Sequence, residues 1–276
     1  MPGPLRTHIS MRDRAGSLYI QWKTPKNAGK VLVLVEGWED KLVYDSFFDA
    51  RTANLKDCGG CDNAVGIGTK LKVLAPKQKI VTILDSDFRY FYGRNRKRTN
   101  LFFTDTHDME TMILFNSQCF QTTINYLKCP NVKHQDIVRD LRLLSYIRWY
   151  NQDAKMKYTD KNLDIVNLSQ SKISDYDYIM GNCFAPTSGT TKQWLKRCFI
   201  KFKTKFNRVR ADHLLNGHDY IDRFCYYARI RDRIQLSSDD VLLGIAFSCN
   251  GGWFRRARLG KDIMDWESRN GIFILS

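Results

Sequence analysis

Two stretches of the chain are almost wholly apolar, the second broken only by Thr82, and each ends in acid. Lys30-Val31-Leu32-Val33-Leu34-Val35-Glu36-Gly37-Trp38-Glu39-Asp40 runs five Val and Leu residues into a glutamate, a glycine and an aspartate. Lys79-Ile80-Val81-Thr82-Ile83-Leu84-Asp85-Ser86-Asp87-Phe88 repeats the pattern with an Asp-x-Asp pair at its end. Continuous aliphatic runs of this length predict strands buried on both faces, as in a parallel sheet. Acids just beyond such strands fall where open α/β sheets place their chemistry.

The remaining pattern is weaker. Ser17 to Trp22 alternates modestly and predicts an edge strand paired with the Lys30 strand. Trp38 to Ala50 has the spacing of an amphipathic helix, with Leu42, Val43, Phe47 and Phe48 toward the sheet. Cys58 to Gly68 reads as a glycine-rich loop containing a short strand at Ala64-Val65-Gly66-Ile67. Phe88 to Phe103 is an aromatic and basic excursion. A helix follows to about Phe115, with Asp105 or Thr106 as its N-cap. Beyond Ser117 the spacing is mainly helical: Asp136 to Tyr150, Thr187 to Arg210, Tyr220 to Ile230, Asp239 to Cys249 and Lys261 to Trp266. The expected fold class is therefore α/β, a mostly parallel sheet flanked by helices and followed by a mainly helical C-terminal region. The expected division is 1–29 as an N-terminal segment with its edge strand, 30–117 as the catalytic domain, and 118–276 as a basic helical domain.

Charge narrows the function. The 276 residues hold 44 Lys plus Arg against 29 Asp plus Glu, a net +15, which favours a polyanionic partner, most often nucleic acid. With no apolar leader after Met1 and no apolar run near the ~20 residues of a membrane span, a cytoplasmic protein with reduced thiols is expected. Cys58-Gly-Gly-Cys61 lacks the second ligand pair of a zinc site and reads as a structural loop with Cys61 buried.

Glu36, Asp40, Asp85, Asp87, Asp108 and Glu110 all lie at or just after the ends of elements that a parallel sheet brings together. Hard oxygen ligands suit Mg²⁺ or Mn²⁺, and in a basic chain the matching chemistry is phosphodiester cleavage. Catalytic candidates are Glu36, Asp40, Asp85 and Asp87, assisted by a lysine, Lys70 or Lys41. Arg94, Arg96, Lys97 and Arg98 form a basic loop for substrate phosphates, and Tyr90, Phe91 and Tyr92 stack on bases or pack a strand. His107 either orients a phosphate or caps a helix. His218 and Asp219 brace a crevice or a dimer. The basic stretch Thr187 to Arg210 binds RNA or an acidic partner.

Val35-Glu36-Gly37-x-x-Asp40 followed by Ile83-Leu84-Asp85-Ser86-Asp87 resembles the TOPRIM domain, in the variant of OLD-type nucleases. With Thr104-Asp105-Thr106-His107-Asp108-Met109-Glu110 and Asn216-Gly217-His218-Asp219 added, residues 30 to 270 resemble a TOPRIM-related bacterial nuclease family. That family includes the AriB effectors of PARIS anti-phage defence. The resemblance implies a metal-dependent endoribonuclease that cleaves tRNA, homodimeric when active and held inactive by an AriA-like ATPase partner. By the same carry-over the metal ligands are Glu36, Asp40, Asp85, Asp87, Asp108 and Glu110. The chain has no G-x-x-x-x-G-K-[ST] motif, so any ATP dependence comes from another protein. The other readings are an OLD-like DNA nuclease and a non-cleaving regulatory subunit of an ATPase complex.

Overall fold

Both apolar runs are strands. A computed structural model describes residues 11–93, 99–153, 163–183 and 189–276. Strand β1 is Val31–Val35, and all five of its residues are buried. Helix α1, Met11–Trp22, precedes it, and α2, Trp38–Tyr44, follows. Next come strand β2, Ala53–Asp57, helix α3, Cys61–Leu74, strand β3, Ile80–Leu84, and strand β4, Leu101–Phe103. The sheet order is β2-β1-β3-β4 with every pairing parallel. The expected α/β class holds. Parallel pairing brings the carboxyl ends of all four strands to one edge.

Several expectations change here. Ser17 to Trp22 is not an edge strand but the end of α1, so the segment before residue 30 contributes a helix. Ala15, Leu18 and Trp22 of α1 pack with Leu32, Leu34, Ile67 and Leu71 in one apolar cluster. The Trp22 indole donates to Lys30 O at 3.1 Å. Ala64 to Ile67 belongs to α3, not to a strand. Gly68 serves packing: a Cβ there would stand 3.1 Å from Thr82 Oγ1. The buried cysteine is Cys58 rather than Cys61, and burial pushes its thiol up to about 12. A thiol held protonated in this way is a poor metal ligand. The helix after Gly37 stops at Tyr44, and Phe48 then bridges antiparallel to Leu275.

Among the described residues the chain forms two compact units. One takes 11–85, 99–104 and 250–276; the other takes 86–93, 105–153, 163–183 and 189–249. In place of the one break expected after residue 117, the chain first leaves the sheet unit after Asp85, leaves it again after Thr104 and returns to it after Cys249. The helical unit opens on a 3-10 helix, Asp87–Tyr92. It continues with α4, Met109–Leu114; α5, Ser117–Tyr126; α6, His134–Asp153; α7, Gln170–Ile173; and α8, Tyr176–Cys183. Then follow α9, Gly189–Lys205; α10, Ala211–Leu214; α11, Gly217–Tyr227; and α12, Ser238–Ser248. Its interior holds a charged network. Arg223, fully buried, donates through Nε and Nη2 to Asp140 Oδ2 at 2.8 and 2.5 Å and through Nη1 to Leu168 O at 2.6 Å. Tyr227 Oη donates to the same Asp140 oxygen at 2.7 Å.

The last two helices, α13, Gly251–Arg256, and α14, Arg258–Asn270, return to the sheet unit. Phe254 stacks on Phe47 with ring centroids 4.6 Å apart. Glu267 Oε1 accepts the Ile274 and Leu275 amides at 2.5 and 2.7 Å, Ile274 O accepts Asp49 N at 2.8 Å, and Ser276 N donates to Phe47 O at 2.9 Å. The C-terminal strand-like tail is thereby held at both of its polar edges.

Candidate functional site

In the sheet unit, Glu36 and Asp85 follow the neighbouring central strands β1 and β3 at the same sheet edge. Glu36 Oε1 accepts the Asp85 backbone N–H at 2.9 Å, which ties the two strand ends together. Asp40 does a different job. Its Oδ2 accepts the Gly37 N–H at 2.8 Å from the third position of α2, so this buried carboxylate closes the first turn of its own helix. Lys70 is carried away from this edge. Two residues earlier Gly68 packs on Thr82 in the middle of β3, while α3 runs from its start near the strand ends toward the opposite end of the sheet. Lys41 pairs with Asp45 on the surface of α2.

The other predicted acids belong to the helical unit. Asp87 has φ of +44°, and its N–H donates to His107 O at 2.7 Å. Its carboxylate meets Arg89 Nη1 at 3.0 Å; burial pushes it up from the ordinary carboxylate range, against the opposing charges of His107 and Arg89. His107 is buried, with its ring edge-on to Phe88 at 4.9 Å and its backbone N–H donating to Asp212 O at 2.9 Å.

Asp108, not Asp105 or Thr106, is the N-cap of α4. Its Oδ1 accepts Thr111 N and Oγ1 at 2.9 and 2.8 Å, and its Oδ2 accepts Gly217 N at 2.6 Å beside His107 Nδ1 at 3.0 Å. Burial raises its pKa, but the His107 bond and charge with the two backbone amides outweigh that and leave it lowered. Capping therefore consumes the oxygens that a metal would use. Glu110, also buried, lies against Gly217, with His218 Nδ1 4.0 Å from its Oε1. Arg94, Arg96, Lys97 and Arg98 lie outside the described residues.

The lowered Asp108 pKa fixes a sign. The unfolded group titrates near ~3.9, so its contribution to stability is complete above that value. It is lost as pH falls through the lower, folded value. Thermal midpoints taken from pH 6 down to pH 3 are expected to show wild type losing its advantage over Asp108→Asn only below about pH 4. An advantage unchanged down to pH 3 would contradict this role for the carboxylate.

The helical unit also contains a cavity of about 260 Å³ lined by Asp87, Phe88, His107, Ser145, Arg148, Gln152, Leu214 and Asn216. The sequence reading missed Ser145 and Arg148. A usable signal was present: Ser145 falls four residues after Leu141 and eight after Ile137, a hydroxyl on the apolar face of a helix.

Among the described residues no group of three or more His, Cys, Asp or Glu side chains is gathered to hold a metal ion. The donor chemistry at the sheet edge nevertheless fits a hard cation. Mg²⁺ is commonly held by one or two carboxylates together with substrate phosphates, not by an all-protein cage. Glu36 and Asp85 are that kind of pair. No protein-family model matches the chain, and no curated protein matches it. No helix among the described residues is long and apolar enough to cross a membrane.

Proposed function

We propose that this chain is a divalent-metal-dependent nuclease. The observation that carries the reading is the pairing of Glu36 and Asp85 at the carboxyl ends of β1 and β3, joined by the 2.9 Å Glu36–Asp85 hydrogen bond. Glu36 and Asp85 would hold Mg²⁺ or Mn²⁺, which when bound lowers the pKa of water and neutralises charge on a phosphodiester. Glu36 also fixes the Asp85 backbone, so the two acids keep one spacing. The net +15 supplies attraction to a polyanion. On α9 the exposed Trp194, Arg197 and Lys201 offer a stacking ring and phosphate contacts.

Following the TOPRIM-related resemblance, the substrate is tRNA, the setting is cytoplasmic anti-phage defence, the active form is a homodimer, and an ATPase partner holds it inactive. One observation favours a second reading, a non-cleaving subunit of such an ATPase complex: the missing three-residue metal group among the described residues.

Incubation of the purified chain with tRNA, other RNA and DNA, with Mg²⁺ or Mn²⁺ and with EDTA, separates these readings. Cleavage that EDTA stops is the expected result, and Glu36→Gln is expected to lower it by roughly 10²–10³-fold, the scale seen when a charge-stabilising group is removed. Circular dichroism checks that this variant is folded. Metal-independent cleavage, or full activity in Glu36→Gln, would overturn the assignment; no cleavage of any substrate would favour the second reading.

A further inference from the structure

We infer that the 260 Å³ cavity of the helical unit receives one unstacked nucleobase, with the N–H edge of the base toward Asp87. It deepens the nuclease reading by naming what part of a nucleic acid the helical unit holds. Size sets the first limit. The cavity is below the ~300–1,000 Å³ of pockets for drug-sized ligands, which restricts an occupant to about a single base. One wall is aromatic: Phe88 is backed by Phe91 and Trp149, their centroids 6.4 and 6.3 Å from it in stacked orientation. Such a wall suits the flat face of a base.

The polar lining mixes acceptor and donors. Asp87 presents a carboxylate, an acceptor for N–H groups. Arg148, paired with Asp219, brings a guanidinium to the same cavity. Ser145 is 1% exposed, and its hydroxyl has no hydrogen-bond partner in the protein, although serine in a helix ordinarily bonds a carbonyl one turn back. A buried hydroxyl without a partner is costly, and a base edge supplies what it lacks. A bare phosphate is a poorer match, since it would meet the Asp87 carboxylate. The backbone of Asp87, at φ +44°, aims this carboxylate from a conformation that Asp and Asn tolerate better than most residues.

Calorimetric titration of the full chain with GMP, UMP and ribose 5-phosphate tests the assignment without relying on cleavage. GMP, which offers adjacent N–H groups on one edge, is expected to bind, and ribose 5-phosphate to bind about tenfold more weakly or worse. Asp87→Asn keeps the backbone conformation and removes the charged acceptor; Ser145→Ala removes the hydroxyl and adds no atom to the buried site. Each is expected to weaken GMP by about tenfold, with Ser145→Ala melting no lower than wild type. Equal binding of GMP and ribose 5-phosphate would overturn the inference, as would GMP binding unaffected in both folded variants. Absence of GMP binding to the wild-type chain would also overturn it. Nucleotide binding that depends on Asp87 in a chain that never cleaves would sink the nuclease proposal and leave the base pocket standing. Cleavage by a chain whose cavity binds no nucleotide would do the reverse.

Discussion

Asp140→Ala is expected to destabilise the helical unit by about 3–5 kcal/mol, the cost of removing one partner from a buried ion pair. Arg223 would be left with its guanidinium in a fully buried site, retaining only the Leu168 carbonyl and the nearby aromatic faces of Tyr226 and Tyr227. Tyr227 would lose its acceptor as well. Replacing both charges at once, as Asp140→Leu with Arg223→Met, is expected to cost much less, because no uncompensated charge remains. Urea unfolding of the two variants measures the difference. Equal losses would show that the network acts through shape alone.

Gly217→Ala is expected to cost about 2–4 kcal/mol, an overpacking strain of about 1–3 plus about 1 for the disturbed helix cap. A Cβ at Gly217 would lie 2.6 Å from Asp108 Oδ1, 2.6 Å from Glu110 Cβ and 2.8 Å from Glu110 Oε2. The start of α11 would have to retreat, and the 2.6 Å bond from Gly217 N to Asp108 would lengthen or break. The loss should therefore shrink in an Asp108→Asn background, which a double-mutant cycle reads directly. Additive losses in that cycle would contradict the coupling.

The central strands were legible because burial on both faces leaves almost no polar position to confuse the pattern: Val31–Val35 is wholly aliphatic, and Ile80–Leu84 is interrupted only by Thr82. Strand β2 escaped notice for the opposite reason. At the sheet edge only Ala53 and Leu55 are buried, and Asn54, Lys56 and Asp57 break the apolar run. In α1 and α3, glycines and polar residues mask the helical period, and tertiary packing overrides propensity. Gly68 looked like loop punctuation and is instead a point of close approach to β3.

For the site, residue types were easier to read than roles. Glu36 and Asp85 stand at strand ends as their sequence context required. Asp40 and Asp108 have the same chemistry and similar positions, yet their oxygens go to backbone amides at helix starts. Nothing in a short motif tells which group each carboxylate oxygen will meet. The partner of Asp108 lies 109 residues away at Gly217.

The return of α13, α14 and the Ile274–Leu275 segment to the sheet unit has a consequence for synthesis on the ribosome. Domains usually fold in the order in which they emerge, but here the unit that begins first is completed last. All residues of the helical unit have been made by Cys249, while Tyr44, Phe47 and Phe48 still await Phe254. A nascent chain stalled near residue 250 would carry an aromatic surface with no cover, a natural point of engagement for chaperones and proteases. The sheet unit that bears Glu36 and Asp85 would then be completed only after the helical unit had been made.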